Sequence, residues 1–457
     1  MSKIIIPNEN KPILKNNNNC YVLEDIKYIH SYKVFNNVII QPYIKLFKDE
    51  HKKRFQITCD HMFKKVGFGV FVYVLKGKIH TFQIFANTTE KKPGTNKITK
   101  KQILKTSSKT KKKYLLKNKT KMGFPYCIFH SGDKWWEKEM DKSIYYHMLQ
   151  TCLEKSQITT CFFINLYSFP VLFNRKCNQY ILSDIVCKNN QIEHNKYIPV
   201  LSGATTKNHF DKCLIYADGW EVVTKDRFGL LCANNFIDSF NKINTKWNTK
   251  TDTVIFRGEN KTCYQNDIKN NDRLKVFKLL NNIKQKNNIT MEIDAGFIFS
   301  KPKSYFIDNT KNMSINDSDE ILKMIGDTEY KEKVSMSEQS NCKYILNIDG
   351  HVNAWRLCFE LGYNSCIILF RSKYYSWFDD KLEHMKNIYI IDVNSKTLEK
   401  DIFECFKKLQ ENDNIGKKIA NGSVKLYNKL MNLNYAKKYM TSLLSEPEFD
   451  MLIPLEN

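Results

Sequence analysis

One stretch constrains this chain's fold more than any other. It is "NCKYILNIDGHVNAWRLCFELGYNSCIILF", residues 341–370. An apolar strand runs into a turn containing Gly350, then into an apolar helix, then into a second apolar strand. Two short apolar strands joined through a helix belong in one parallel sheet, because the helix is the crossover that parallel strands require. Arg356 stands in the first turns of that helix. A helix N-terminus presents unpaired N–H groups and a partial positive charge, and both favour an anion. Gly350 permits close backbone approach. Arg356 adds a planar fork of donors suited to phosphate oxygens.

The same alternation extends upstream and downstream. "DTVIFRGENKT" (252–262) is a buried strand ending in Arg257 and Gly258, "NNDRLKVFKLLNNIKQKN" is an amphipathic helix, and "NITMEIDAGF" and "NIYIIDVN" are further strands. Strands and helices in turn describe a parallel α/β domain, whose ligands bind at the carboxyl ends of the strands. Arg257 and Gly258 fall at one such end, Asp294 at another and Gly350 to Arg356 at a third. Arg257 and Arg356 together predict a diphosphate site. Upstream, residues 20–90 read as β-rich, with two apolar runs separated by "KGK", a hairpin signal. From 133 the pattern is helical, opening at Asp133 as N-cap, and "TTCFFINLYSFPVLF" follows as a buried strand and a proline turn. The tail from 400 is helical.

Composition narrows the class. Hydrophobic residues make up 42 % of 457 residues, which is enough for two or three domains with real cores. The formal net charge of +24 suits a polyanion partner, but asparagine runs such as 16–19 favour A/T-rich coding as its origin. Residues 91–121 hold 13 lysines and no acid, and are expected to be a solvated loop. The 14 cysteines form no CxxC pair and no metal or disulfide framework, which implies a reduced compartment. No signal peptide and no apolar run of membrane-spanning length is evident, so a cytoplasmic location is expected.

"DTVIFRGENKT", "NDRLK", "EIDAGF" and the 341–370 segment, in that order, resemble the CAP-type glycosyltransferases. These include Rumi-like protein O-glucosyltransferases and fungal capsule xylosyltransferases, and the likeness is strongest to the branch in algae, protists and large DNA viruses. The resemblance implies an α/β, GT-B-like fold: two Rossmann-like domains facing a cleft, a β-rich N-terminal extension, and C-terminal helices crossing back. The boundaries it suggests are 1–125 for the extension, 126–245 for the acceptor-side domain, 246–410 for the donor domain and 411–457 for the returning helices. It implies a UDP-sugar donor, no cofactor, no metal, inversion at the anomeric carbon, and a protein or glycan hydroxyl as acceptor. It also implies that a viral protein would act in the infected cell. Arg257 and Arg356 would take the diphosphate, with Gly258, Asp294, Gly350 and Ser365 completing the donor site. Asn387 stands near where the family has a histidine.

Two departures follow from the same comparison. The family has a small hydroxyl residue after Phe-Arg-Gly, where this chain has Glu259. The family's general-base aspartate falls on Ser168, and its neighbouring arginine on Tyr167. A serine does not accept a proton at neutral pH as a carboxylate does. A substitute base would come from Asp184, Glu193, Asp211 or Asp218. The alternatives to an active transferase are a nucleotide-sugar or glycan-binding protein without turnover and, third, a basic polyanion-binding protein. Specific nucleic-acid binding is not expected. "DSD" at 317–319 reads as a helix cap rather than a metal site.

Overall fold

A computed structural model describes residues 7, 9–17, 20–24, 28–87, 140–166, 196–206, 211–215, 220, 223–224, 246–258, 272–284, 289–298, 330–350 and 352–454. In chain order the strands are β1 (Ile13–Asn17), β2 (Cys20–Glu24), β3 (Phe68–Leu75), β4 (Lys78–Ala86), β5 (Thr160–Ile164), β6 (Val200–Ser202), β7 (Thr205–Thr206) and β8 (Lys212–Cys213). They continue with β9 (Thr251–Gly258), β10 (Glu292–Ile298), β11 (Tyr330–Lys331), β12 (Cys342–Ile348), β13 (Cys366–Arg371), β14 (Tyr374–Tyr375) and β15 (Tyr389–Asp392). The main helices are α1 (Asp49–Asp60), α2 (Met140–Leu153), α3 (Asp272–Lys284), α4 (Leu357–Glu360), α5 (Leu398–Glu411), α6 (Asp413–Leu430) and α7 (Leu433–Leu444).

The first sheet has the order β4-β3-β5-β6-β8. Its β3–β4 hairpin turns through Lys76 and Gly77, both at positive φ (47° and 76°). That is the backbone a two-residue hairpin loop with right-handed strand twist demands. A Cβ on Gly77 would also strike the carbonyl of Ser156, so the position excludes side chains twice over. Along β3 the side chains alternate. Val70, Val72 and Val74 face α2, while Phe71 and Tyr73 face a second core that includes Phe35, Phe55 and Phe63.

This sheet corrects two expectations. Residues 32–66 are helical, not strand, ending in a turn of wide helix at His61–Val66. And β3 pairs antiparallel with β5, so the boundary drawn at 125 runs through a continuous sheet. The hairpin's apolar residues on both faces leave it no solvent side, which is why it must be covered by the domain that follows.

The second sheet has the order β11-β10-β9-β12-β13-β15, and every neighbouring pair is parallel. Renumbered within the domain this is 3-2-1-4-5-6, the doubly wound Rossmann order, whose switch point lies between β9 and β12. Both faces are covered. Val254, Phe256, Tyr344, Leu346, Cys366 and Ile368 pack with α3 and α5. Ile255, Ile345, Ile367 and Leu369 join a core that runs through α4 and the ends of α6 and α7 into the first domain. The C-terminal helices do cross back: α7 packs on α2, and Thr160 Oγ1 donates to Phe449 O at 2.8 Å. The two sheets also meet through the short antiparallel pair β7–β14, Thr205–Thr206 against Tyr374–Tyr375. The molecule is thus α/β and GT-B-like, with two Rossmann-like layers facing each other. No helix among the described residues is long and apolar enough to cross a membrane. Among the described residues, Cys59, Cys152, Cys161, Cys213, Cys342, Cys358, Cys366 and Cys405 form no disulfide.

Candidate functional site

A cavity of about 390 Å³ opens at the switch point of the second sheet. Its floor comes from the carboxyl ends of β9 (Gly258), β12 (Asp349, Gly350) and β13 (Arg371, Ser372). Its wall comes from residues 352–358 and, across the cleft, from Gly203 and Ala204 after β6. Ala204, Val352 and Tyr374 pack together there and close that side.

The 349–356 loop is held from within. Asp349 is buried; Oδ1 accepts from Ala354 N at 2.7 Å and Oδ2 accepts from Ser372 Oγ at 2.5 Å. Burial pushes its carboxyl up, opposed by these two bonds and by Arg273 and Arg371. The helix expected from the apolar run is a single turn, Leu357–Glu360, with Arg356 at its N-cap. Asp349 has captured the amide of Ala354 in a turn, so the chain reaches helical geometry late. One turn sums too few peptide dipoles to act as an anion site.

Arg356 stands at the N-cap of that turn. Its Nη1 donates to Arg257 O at 2.9 Å, Nε lies 2.8 Å from Glu360 Oε1, and the guanidinium stacks over Phe256 at 4.9 Å. Glu360 is itself buried and accepts from Asn347 Nδ2 at 2.6 Å. Arg356 lines the cavity.

Arg257 is placed differently. Its Nε donates to Glu332 O at 3.1 Å, Nη1 to Asp294 O at 2.7 Å, and Nη2 to Asp294 Oδ2 at 2.8 Å. The side chain folds back along β10 and locks β9, β10 and the residues after β11 together. Only its backbone carbonyl reaches Arg356. Asp294, also paired with Lys331, is the other half of that lock; burial pushes its carboxyl up, but the bonds from Arg257 and Lys331 win and hold it below the usual carboxylate range.

Ser365 immediately precedes β13, about 20 Å along the strand from Arg371 in the cavity floor at a rise of ~3.3 Å per residue. There its hydroxyl donates to Cys342 O at 2.8 Å and accepts from Lys250 Nζ at 3.1 Å. Asn387 Nδ2 donates to Lys381 O at 3.0 Å, and its Oδ1 accepts from Glu383 N at 2.9 Å, a loop-bracing role.

Sequence reasoning missed Arg273. It is buried in the first turn of α3, and its Nη2 and Nε donate to Ile348 O at 3.1 and 3.3 Å. Its guanidinium lies across Gly350, where a Cβ would come within 2.9 Å of Nη2. The signal was a cation inside the apolar stripe "DRLKVF". Arg371, paired with Asp379, and the exposed ring of Trp355 were also passed over.

On the first-domain side, Asn165 Nδ2 donates to Ser202 Oγ at 3.0 Å, and Ser202 Oγ donates to Asp211 Oδ1 at 2.5 Å. This buried chain stands directly behind Gly203 and Ala204. Of the four candidate bases, Asp211 is described; Asp184, Glu193 and Asp218 lie outside the described residues, as do Ser168, Tyr167, Glu259, residues 91–121 and 317–319.

The model of glycosyl transferase family 90 matches residues 104–448, more than half of the chain. The chain belongs to that family. The match covers the second sheet, the cavity and the returning helices. Among curated relatives, protein 035R of Invertebrate iridescent virus 3 is 27 % identical over 289 residues, covering 61 % of this chain and 24 % of its own length. Protein 179R of Invertebrate iridescent virus 6 is 25 % identical over 451 residues, covering 85 % and 36 %. The family 90 chain thus spans from just under a quarter to just over a third of these relatives' length. Among solved structures it is similar to the C-terminal domain of a group 1 glycosyl transferase from Francisella tularensis, at 12 % identity, TM-score 0.28, covering 39 % of this chain and 85 % of that one. Sucrose-phosphate synthase from Thermosynechococcus elongatus gives 8 %, 0.30, 45 % and 47 %. The strand order, not these low scores, defines the fold.

Proposed function

We propose that the switch-point cavity holds the diphosphate of a UDP-sugar and that the chain transfers the sugar, with inversion and without a metal, to a protein or glycan hydroxyl. The observation that carries this reading is Arg356, held by Glu360 and the Arg257 carbonyl in the wall of the cavity. Arg273 crosses Gly350 beside it, so two guanidinium groups converge on the loop where a diphosphate would sit. Arg257 lines the cavity but commits its side chain to Asp294 and the Glu332 carbonyl, and Asp294 stands outside the lining. Ser365 fixes strand starts and takes no part. The acceptor would enter from the Gly203–Ala204 side, and its hydroxyl needs a base.

A second reading is binding without turnover, favoured by Ser168 where the family carries its aspartate. The experiment that tests donor binding is a thermal shift with UDP, with and without EDTA. Ligand at a hundredfold excess over Kd stabilises by about 2.7 kcal/mol. Absence of a shift at millimolar UDP would remove the donor site, and a shift lost in EDTA would remove its independence of metal. Donor hydrolysis and transfer by wild type, Ser168→Asp and Asp211→Asn then separate enzyme from binder. Slow wild-type turnover raised by Ser168→Asp supports the missing base. Loss of ordinary turnover in Asp211→Asn would assign the base role to Asp211.

A further inference from the structure

We propose that the cleft between the two sheets is permanently fastened, so that the donor enters and leaves the cavity through its open mouth without the domains parting. The inference rests on reading the cavity as a donor site and concerns how that site is reached. Its centre is the strap 372–379. On one side the strap lines the cavity with Ser372, Tyr374, Ser376, Trp377, Phe378 and Asp379. On the other it is held by the first domain and by α7, which packs on α2. Tyr374 and Tyr375 pair antiparallel with Thr206 and Thr205. Cys213 Sγ, on β8, donates to Tyr375 O at 3.4 Å, and the Tyr439 hydroxyl, on α7, donates to Cys213 O at 2.7 Å. The Trp377 ring packs on Tyr435 and Tyr439, with centroids 6.1 and 5.3 Å away. The ends of the strap are tied within the second domain: Ser372 Oγ donates to Asp349, and Asp379 accepts from Arg371 and from Ser376 Oγ.

A joint of this kind hinges where little apolar surface lies behind it. Domains move relative to one another by default, and stay fixed where their interface is large and hydrophobic. Here the interface is a shared core. Val72 and Leu149 of the first domain belong to one continuous buried cluster with Ile345 and Phe359 of the second, joined through Leu430 and Met440 of the returning helices. A smaller closure, Ala204 against Val352 and Tyr374, meets at the cavity itself. Parting the sheets would break the strand pair and bring both clusters into water, at about 25 cal/mol for each Å² of apolar surface exposed. The exposed ring of Trp355 marks a side of the cavity that stays open to solvent. A fixed cleft gives the donor a cavity that exists before it arrives, and makes its release independent of domain movement.

The test closes the joint covalently. Thr205 and Tyr375 face each other across the strand pair, and neither lines the cavity. Opposite residues of an antiparallel pair have Cα atoms about 4.5–5.5 Å apart, within disulfide reach. The full chain carrying Thr205→Cys and Tyr375→Cys in a Cys213→Ala background is oxidised with glutathione disulfide or reduced with dithiothreitol, so that one protein serves as its own control. Without UDP, small-angle scattering of the two forms should coincide. Contraction on oxidation would show that the reduced cleft opens, and would overturn the proposal, as would failure of the bond to form. Scattering of the wild type, which needs no substitution, should likewise be unchanged by UDP, and compaction would overturn the proposal too. UDP affinity by calorimetry should agree within about threefold between the oxidised and reduced forms, because locking a state that is already fully populated changes nothing. A loss of roughly tenfold on oxidation would mean that the donor needs an open cleft, and a gain of that size that the closed cleft is a minor state, and either overturns the fixed cleft. A wild type that binds no UDP overturns the donor reading instead, while scattering of the oxidised and reduced forms still judges the cleft, so the two failures are distinct.

Discussion

The two ends of the second sheet each bury a cation, and they differ in what the cation has left to do. At the amino ends of β9, β12 and β13, Lys250 is almost fully buried. Its Nζ donates to the carbonyls of Ser340 and Tyr363 and to Ser365 Oγ, all three from residues that precede the strands. At the carboxyl ends of the same strands, Arg356 is braced by one carboxylate and one carbonyl, and borders a cavity. Lys250 is a plug that closes strand starts. Arg356 stands in the wall of an opening. A buried cation is therefore not by itself a site: the difference is whether the surrounding acceptors surround it or stop short at an opening.

The largest effect that would break this comparison is at the plug. Lys250→Ala leaves two backbone carbonyls buried without their donor and opens a void, and should cost on the order of 3 kcal/mol, read by chemical denaturation. UDP affinity of the folded fraction should not move. The plug also carries a pH signature. Burial pushes the Lys250 ammonium down to about 8. The unfolded chain keeps that proton to about 10.4, so between these values it binds more protons than the native state and stability should rise with pH. The rise should vanish in Lys250→Ala. If Lys250→Ala instead weakens UDP binding at unchanged stability, the two ends are coupled and the contrast fails.

At the other end ligand binding should fall as well as stability. Arg356→Ala leaves the buried Glu360 without its cation and should cost on the order of 3 kcal/mol, while UDP affinity of the folded fraction falls roughly tenfold to a hundredfold, the ~1.5–3 kcal/mol of a charge-assisted bond. Arg356→Lys should not restore it, because the planar fork is lost. Isothermal titration of both variants decides. Equal affinity in Arg356→Ala would mean that the cation is only a brace.

An acid near the cavity sharpens the contrast further. Asp272 begins α3 beside Arg273, and burial, with Asp349 nearby, raises its carboxyl to about 6. The native state then holds a proton that the unfolded chain, titrating near 3.9, has lost, so stability should fall as pH rises from about 4 to 6. Asp272→Asn should remove that slope and stabilise the protein at pH 7 by roughly 3 kcal/mol. A melting series from pH 4 to 8 measures it. An unchanged slope in the variant would assign it to other carboxylates.

Much of the second domain was legible in the sequence. The runs 252–258, 292–298, 342–348 and 366–371 are apolar enough to be strands buried on both faces, and the alternation with helices fixed their parallel order. Arg356 was legible because its local segment is the turn that places it. Arg257 was not. Which way a side chain at a strand's end folds depends on the neighbouring strand, and Asp294, set two places back in register, drew it away from the opening. Arg273 was hidden for a related reason: an amphipathic helix reads as apolar positions plus solvent-facing polar ones, and only the packed neighbour strand shows that this polar residue faces inward. The helices at 32–66 were obscured by their β-branched residues and by the strong strand signal that follows them. At 351–363 the error ran the other way, since an apolar run looks helical until a carboxylate such as Asp349 captures its first amides.

The smallest expected effect discriminates most finely between brace and ligand site. A Cβ at Gly350 would lie 2.9 Å from Arg273 Nη2, 3.0 Å from Cζ and 3.2 Å from Nη1. These atoms are the far end of a flexible side chain, so Gly350→Ala need not disturb the sheet and should cost less than ~1 kcal/mol, within the range of mild substitutions. It must, however, push the guanidinium off its place above the loop. If Arg273 and Arg356 grip one diphosphate together, that shift should lower UDP affinity by roughly threefold to tenfold, a fraction of one charge-assisted bond. The loss should shrink in an Arg273→Ala background, because the methyl group then has nothing to displace, and a double-mutant cycle reads that coupling directly. Additive losses would show that Gly350 acts through the backbone rather than through Arg273. No loss at all would confine Arg273 to bonding Ile348, and leave Arg356 as the lone guanidinium offered to the ligand.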